Sequence, residues 1–270
     1  CGKSTTLRLI NRMIEPSSGR IMLDGEDVTK ANPDKLRRRI GYVIQQIGLF
    51  PHQTISQNIA TVPKMLGWEK ERIHERTEQL LTTVGLDPEQ YRDRYPKELS
   101  GGQAQRIGIA RALALKPDLI VFDEPVSALD VSIQAQVLNL MRDLQEELKL
   151  TYLFITHNLA VVDYVADNIA VMCQGRLVEM APRESLFKSP IHPYTRALMA
   201  AVPFADLHHP LDFEALMDGR MSDPAAWPGP FAVGPSTSQG TSLDFIEVDN
   251  EHFVLASPGF SGEQVLRSVS

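Results

Sequence analysis

Hydrophobic and polar residues follow two distinct patterns along the chain. Apolar residues recur at helical spacing over 5–14 and over 131–150, which predicts amphipathic helices. Continuous apolar runs at 119–122 and 152–155 each end in polar side chains, as is typical of strands buried on both faces of a sheet. Helices that alternate with such strands predict an α/β fold with a mainly parallel sheet.

Shorter signals predict the elements between these segments. An apolar run at 40–44 predicts another strand, and the dipeptides at 24–25 and 174–175 each predict the turn of a β-hairpin. The more polar stretch 54–98 predicts helices that are closed at a Gly and broken at a Pro. Ser100 is the predicted N-cap of the helix that follows.

The character of the chain changes from about residue 204. The following stretch is rich in Pro, Gly and Ser, so we expect an extended tail over 204–270 that is largely without its own core. Within this tail, the pattern at 243–256 predicts one or two late strands. The sequence thus predicts one domain over 1–203 and a Pro/Gly-rich C-terminal tail of unknown role.

Composition limits the classes of function. The 270 residues carry a net charge of −7, and 43% are hydrophobic, as expected of one globular domain with an appendage. The sequence has no basic stripe, which argues against nucleic acid as a partner. Its two cysteines, Cys1 and Cys173, give no metal or disulfide framework, and no apolar stretch approaches the length of a membrane span.

Each predicted core strand ends next to a polar side chain: Gln45, Asp123 with Glu124, and His157. Ligands of open α/β sheets bind at the carboxyl ends of the strands, so we expect these groups to gather there, near Lys3. An Asp at such an edge can hold Mg²⁺, and an adjacent Glu can orient or deprotonate a hydrolytic water. Taken singly, each group also has a structural interpretation, as a cap or as a hydrogen-bonded strand end.

The chain begins inside a phosphate-binding pattern. Gly2-Lys3-Ser4 is the second half of G-x-x-x-x-G-K-[ST], a loop whose N–H groups, Lys and hydroxyl bind phosphates and Mg²⁺. The first Gly and the strand before it would precede Cys1. We therefore expect an N-terminally truncated P-loop NTPase that binds nucleotide poorly as written. The alternative for these residues alone is a helix N-cap after a Gly turn.

A second potential anion site lies at 99–103, where Leu-Ser-Gly-Gly-Gln offers a hydroxyl and two flexible backbone amides at a helix start. This segment cannot serve the same phosphate as Lys3 from the same side of one compact chain, but a second subunit could bring it there. Asp130 precedes the helix that begins at Val131 and is its candidate cap. Both segments can also be interpreted simply as helix caps.

In this order, the motifs resemble those of the ATP-binding subunits of ABC transporters. The resemblance covers about residues 1–203 and depends most on LSGGQ at 99–103, followed by LIVFDEPVSALD at 119–130. It implies a P-loop NTPase of the ABC ATPase type with a helical subdomain at about 54–115. It also implies ATP hydrolysis coupled to transport, with ATP and Mg²⁺ as cofactors.

The resemblance assigns roles to individual residues. It implies that nucleotide is bound by Gly2, Lys3, Ser4, Thr5, Ser100, Gly101, Gly102, Gln103 and Asp130. It implies that Mg²⁺ is held by Ser4, Gln45 and Asp123. The residues that it places in hydrolysis are Glu124, His157 and Gln45.

The resemblance also implies partners. Two such domains, in a homodimer or in a heterodimer with a second ABC ATPase, pack head to tail. Each ATP then lies between the P-loop of one subunit and the segment 99–103 of the other, which would explain the second anion site. The helical subdomain would contact transmembrane permease subunits, so that the protein is peripheral at the cytoplasmic face of the cell membrane. An extracytoplasmic substrate-binding protein would be an indirect partner.

Two cargo classes are indicated by different parts of the chain. Residues 1 to about 107 resemble the ATPases of glycine betaine, choline and other quaternary-amine importers. From about residue 126, the chain resembles oligopeptide/dipeptide importer ATPases, and SPIHPYT at 189–195 marks the C-terminal extension of that group, at about 182–203. The extension favours peptide, and an osmoprotectant importer is the alternative. In purely structural terms, SPIHPYT is a Pro-bounded turn before a short helix.

Two further alternatives belong to other functional classes. A non-transport ABC ATPase of the DNA-repair type would insert a long coiled coil between the P-loop and the segment 99–103, and residues 3–100 leave no room for it. A nucleotide-binding module without hydrolytic activity is the other alternative. A Glu124→Gln comparison separates enzyme from binder.

Overall fold

The computed structural model describes residues 2–45, 47–200, 222–232 and 243–269. The chain divides into two compact units. One comprises Thr5–His157 and is called the N-terminal unit here. The other, the C-terminal unit, comprises Asn158–Ser270 together with Cys1–Ser4.

Helices and strands alternate along the N-terminal unit, as the apolar pattern predicts. In chain order they are α1 (Lys3–Ile10), β1 (Met22–Leu23), β2 (Glu26–Asp27), α2 (Pro33–Arg38), β3 (Ile40–Val43), α3 (Ile55–Met65), α4 (Lys70–Thr83), α5 (Pro88–Tyr91), α6 (Gly101–Ala112), β4 (Leu119–Asp123), α7 (Val131–Leu148) and β5 (Thr151–Ile155). Helix α1 is shorter than predicted at its C-terminal end. It ends at Ile10 instead of residue 14, and the Ile14 side chain is exposed.

The predicted parallel sheet is confirmed. Strands β3, β4 and β5 pair in parallel in that order, with Ile40 opposite Leu119 and Asp123 opposite Ile155. The first four residues of β4 are buried, as expected of a central strand. The prediction of full burial for β5 is wrong: Thr151 is exposed and the rest of the strand is half-buried.

The helices after β3 agree with the sequence signals only in part: α4 ends just before the predicted Gly85, whereas α5 ends at Tyr91, before the Pro96 that was predicted to break this helix. Helix α3 follows a capping box between Thr54 and Gln57, and α4 is closed by Gly85 in the left-handed conformation, with φ of 71°. A short 3-10 helix lies at Pro96–Glu98. The boundary of the helical subdomain, about 54–115, stays a prediction.

The C-terminal unit contains an antiparallel sheet that the sequence pattern predicts only in part. Its elements are α8 (Leu159–Val165), β6 (Asn168–Cys173), β7 (Arg176–Pro182), α9 (Arg183–Lys188), α10 (Pro193–Ala200), β8 (Asp244–Asp249), β9 (His252–Ala256) and α11 (Gly262–Val269). The strand order is β6-β7-β9-β8. The predicted turn is confirmed at Gln174 and Gly175, whose φ angles are 45° and 81°.

The predicted tail differs from the structure in the part that is described. Residues 243–269 form β8, β9 and α11, so the late strands are confirmed, but this part is not extended, because it packs into an apolar cluster that also contains Cys173, Val178 and Ile191. Trp227, Phe231 and Val265 are buried with the β9 side chains in one apolar cluster. Large apolar side chains thus outweigh the Pro/Gly-rich composition there. The rest of the predicted tail lies outside the described residues.

Candidate active site

The carboxyl ends of β4 and β5 bring Glu124 and His157 together. The parallel register places Asp123 opposite Ile155, and the Glu124 N–H continues the pairing by donating to the Ile155 carbonyl at 2.8 Å. Two residues after the end of β5, the His157 Nδ1 lies 3.1 Å from the Glu124 Oε1. The structure therefore confirms that these two side chains meet at the edge of the sheet.

Glu124 holds an unusual backbone conformation. Its φ is 49°, in the left-handed region, which costs a non-glycine residue about 1–2 kcal/mol. The Glu124 side chain is 22% exposed, whereas that of His157 is 68% exposed. The result is a mostly buried carboxylate with a solvent-facing imidazole beside it, an arrangement suited to moving a proton between water and the site. Strained residues of this kind cluster at functional sites.

Gln45 reaches the same edge from the end of β3. Its Nε2 lies 3.4 Å from the Ser127 Oγ, and this hydroxyl donates to the Glu124 carbonyl at 3.0 Å. A chain of polar contacts therefore connects Gln45 to the backbone of Glu124. No sequence signal singles out Ser127 as this link, although it lies between the predicted site residues Glu124 and Asp130.

Tyr42 is a second residue that the sequence analysis missed. It lies in β3 opposite Val121 and is half-buried. Burial raises the pKa of Tyr42, and the negative charge of Asp123 raises this pKa further, against the opposing effect of Arg8. The hydroxyl thus stays protonated and remains a hydrogen-bond donor near Asp123. A single Tyr inside an apolar run was the available signal.

The segment 99–103 forms the predicted cap of α6. Ser100 and Gln103 make a reciprocal capping box, and the Gln103 Nε2 donates to the Tyr91 hydroxyl at 2.9 Å. The simple interpretation as a helix cap is therefore confirmed, and the role in nucleotide binding stays a prediction. For Asp130, the structure gives a correction: this residue occupies the N-cap position of α7, but its side chain makes no capping hydrogen bond.

The phosphate-loop residues precede and open α1. Gly2 has a φ of 91°, and a Cβ on it would lie 2.9 Å from the Gly175 Cα within the C-terminal unit, so only glycine fits this position. Lys3, Ser4 and Thr5 are the first residues of the helix, where N–H groups favour an anion. The predicted proximity of Lys3 to the sheet-edge residues stays a prediction.

The side chains predicted to hold Mg²⁺ have suitable chemistry. The Asp123 carboxylate, the Gln45 amide oxygen and the Ser4 hydroxyl are hard oxygen ligands of the kind that Mg²⁺ uses together with water and phosphate. Among the described residues, no group of three or more His, Cys, Asp or Glu side chains could hold a metal ion. The assignment of these three residues to Mg²⁺ stays a prediction.

Comparisons with known protein families place the chain in a defined class. The family described as "ABC transporter" matches residues 1–127, and the family described as "Oligopeptide/dipeptide transporter, C-terminal region" matches residues 178–225. Helices long and apolar enough to cross a membrane do not occur in the described parts of the chain.

Individual relatives agree with this class. The oligopeptide transport ATP-binding protein OppF of Bacillus subtilis is 43% identical over 266 residues, which are 95% of this chain and 83% of OppF. The glycine betaine/carnitine/choline transport ATP-binding protein OpuCA of the same species is 49% identical over 194 residues, which are 72% of this chain and 51% of OpuCA.

A solved structure shares the fold. The ATP-binding cassette MJ0796, in a dimeric post-hydrolysis state bound to ADP and Pi, superposes with a TM-score of 0.58 at 30% identity, over 67% of this chain and 81% of that chain. The chain therefore belongs to the ABC ATPases. More specifically, it belongs to the ATP-binding subunits of ABC transporters in their importer branch, and its activity is ATP hydrolysis.

Proposed function

We propose that this protein hydrolyses ATP for an ABC importer of oligopeptides or dipeptides. The observation that carries the catalytic part is the 3.1 Å contact between Glu124 and His157 at the carboxyl edge of the parallel sheet. The proposal assigns the hydrolytic water to the Glu124 carboxylate as its general base. His157 then holds the carboxylate in place and contacts the terminal phosphate.

The other predicted site residues act on the nucleotide in this proposal. Lys3 contacts the phosphates at the N-terminus of α1, and Gly2 and Thr5 complete the loop around them. Bound Mg²⁺ neutralises phosphate charge during the reaction. Ser4, Gln45 and Asp123 would hold this ion. Gln45, linked through Ser127 to the backbone of Glu124, also orients the water.

The segment 99–103 and Asp130 serve the nucleotide of a second ATPase subunit in this proposal. The Ser100 hydroxyl and the N–H groups of Gly101 and Gly102 lie at the N-terminus of α6, where an anion is stabilised. A homodimer or a heterodimer with another ABC ATPase supplies the second P-loop. MJ0796 was solved as a dimer, which supports this arrangement.

Peptide as the cargo is supported by the C-terminal region. Its family match covers residues 178–225 and includes SPIHPYT at 189–195. Buried Glu179 accepts hydrogen bonds from the N–H groups of Ile191 and His192, at 2.8 Å and 3.0 Å, and contacts the His252 Nε2 at 2.7 Å. These contacts fix the turn before α10, so the physical role of the marker is to hold the extension in place.

An importer of glycine betaine or choline is the second candidate. OpuCA has the higher identity of the two relatives, 49% against 43%, although over a shorter alignment. Both candidates share the ATPase site and differ only in cargo. In either case, we propose a peripheral protein at the cytoplasmic face of the membrane that contacts permease subunits through α3–α5 and meets a substrate-binding protein only indirectly.

Uptake measurements test the cargo. A strain of the source organism that lacks the gene is complemented with the wild-type gene or with a Glu124→Gln version, and uptake of radiolabelled trialanine and of glycine betaine is measured. We expect only the wild-type gene to restore trialanine uptake, with no change in glycine betaine uptake. Restored glycine betaine uptake alone would support the second candidate, and restoration of neither would contradict a role in import of either cargo.

A further inference from the structure

The loop that follows Gln45 is held on α6 by a half-buried arginine, Arg111. The Arg111 Nη1 donates to the Gly48 carbonyl at 2.7 Å, and the Arg111 Nη2 donates to the Ile47 carbonyl at 2.8 Å. The planar guanidinium thus bridges two consecutive backbone carbonyls. We propose that Arg111 is a positioning residue that sets the place of Gln45 relative to α6 and thereby relative to the segment 99–103. The inference rests on the proposed role of Gln45 in hydrolysis.

A second contact fixes the same loop on the same helix. Gly108 lies one turn before Arg111, and a Cβ on Gly108 would lie 3.1 Å from the Ile47 Cγ2. Because glycine has no side chain, the Ile47 side chain can pack directly against α6 at Gly108. The loop therefore contacts α6 in two ways: its backbone carbonyls accept the hydrogen bonds of Arg111, and its Ile47 side chain packs at Gly108.

The charge of Arg111 adds a desolvation cost to this contact. Burial lowers the pKa of Arg111, since the guanidinium is taken out of water. Within the described part of the chain, the only hydrogen bonds of this side chain go to the two loop carbonyls, and no carboxylate forms an ion pair with it. A neutral side chain of similar length would avoid the desolvation but could not offer the rigid fork that spans two carbonyls.

Helix α6 connects this anchor to the proposed signature segment. Ser100 is its N-cap, and Arg111 lies in its last turn, about 17 Å away along the helix axis at 1.5 Å per residue. In the proposed dimer, Gln45 serves the nucleotide bound by its own subunit, whereas Ser100 serves the nucleotide of the other. Arg111 therefore joins the groups of one chain that face two different nucleotides.

A double-mutant cycle of ATP hydrolysis tests this role in the complete gene product. The variants are Gln45→Ala, Arg111→Lys and their combination. We expect Arg111→Lys to lower kcat about tenfold to a hundredfold, with little change in KM, because the fork is lost and the loop shifts. We expect the combination to be no slower than Gln45→Ala alone, since both changes remove the same positioned amide.

Arg76 provides a matched control. It is also partly buried, and its guanidinium donates to two consecutive backbone carbonyls, those of Leu113 and Ala114 just beyond α6, but not to the loop after Gln45. Arg76→Lys should lower thermal stability by about as much as Arg111→Lys does. Its effect on kcat should be the same with and without Gln45→Ala.

The outcomes separate the inference from the proposed function. If Gln45→Ala leaves kcat unchanged, the proposed role of Gln45 is wrong, and the inference falls with it. If Gln45→Ala lowers kcat but the Arg111→Lys effect multiplies with it, Arg111 is only a structural residue and the ATPase proposal stands. A kcat of Arg111→Lys equal to wild type would also overturn the inference.

Discussion

Replacement of Gly102 by alanine should push α6 away from α7. A Cβ on Gly102 would lie 2.5 Å from the Ile133 Cγ2 in the first turn of α7. Non-bonded carbon atoms prefer separations of about 3.5–4.0 Å, so the added methyl is about 1 Å too close. The contacted atom is attached directly to a branched Cβ, which leaves it little freedom to move aside.

The expected cost follows from two opposing effects. Overpacking of this kind costs about 1–3 kcal/mol. Alanine gains about 1 kcal/mol over glycine in a helix interior, which offsets part of this cost. We therefore expect a net loss of up to about 2 kcal/mol in the free energy of unfolding. Gly101→Ala is the matched control, because its Cβ would lie 3.0 Å from the Leu129 Cδ2, the flexible end of a side chain that can turn away.

Urea unfolding followed by far-ultraviolet circular dichroism measures both variants. Gly101→Ala should stay within about 0.5 kcal/mol of wild type. The combination Gly102→Ala with Ile133→Ala should be more stable than the sum of the single changes predicts, because the clash is relieved. Equal stabilities of the Gly101→Ala and Gly102→Ala variants, or strict additivity with Ile133→Ala, would refute the reasoning.

Two further predictions concern the C-terminal unit. In the wild-type protein, the Glu179 carboxylate accepts hydrogen bonds from the N–H groups of Ile191 and His192. Glu179→Gln replaces one of these acceptor oxygens by an NH₂ donor, so it should lower the free energy of unfolding by about 1–3 kcal/mol and speed amide exchange over 189–195. The change Glu184→Gln at an exposed position should do neither. Equal exchange in both variants would contradict this contact. Burial lowers the pKa of His192 to about 4, despite the opposing effect of the Glu179 charge. In the unfolded chain, the pKa of this histidine is near 6.5, so between pH 6.5 and 4 the unfolded chain binds a proton at His192 that the folded protein does not bind. The free energy of unfolding should therefore fall as the pH drops from 6.5 to 4. The slope should reach up to about 1.4 kcal/mol per pH unit. His192→Asn keeps an acceptor for the Tyr194 N–H and should flatten this slope in urea titrations; an unchanged slope would contradict the assignment.

The parallel sheet and the edge at which its polar residues meet could be predicted from local patterns. Continuous apolar runs, such as the one in β4, identify buried strands, and the polar residue that ends each run identifies the binding edge. The contact between Glu124 and His157 follows from the register of two neighbouring strands. The helix caps at Thr54 and Ser100 follow from sequence signals only a few residues long.

What the sequence could not predict depends on contacts between distant segments. The fork of Arg111 on the loop after Gln45 joins residues more than sixty positions apart, and no local pattern marks it. The position of β5 at the sheet edge is likewise a property of strand order. In the C-terminal part, composition favoured an extended tail, whereas Trp227 and Phe231 pack against the ring of buried His192. A few large aromatic contacts thus determine structure where an average over many residues does not.

The most direct test of the proposed catalytic role is steady-state ATP hydrolysis by the complete gene product and its Glu124→Gln variant. Exposed Glu147→Gln on α7 serves as the control, and binding of a fluorescent ATP analogue shows that each variant still binds nucleotide. We predict that Glu124→Gln lowers kcat by about a hundredfold or more, as loss of a general base does, while nucleotide binding persists. Hydrolysis by Glu124→Gln at the rate of the wild type and of Glu147→Gln would contradict the assignment of Glu124 as the catalytic carboxylate.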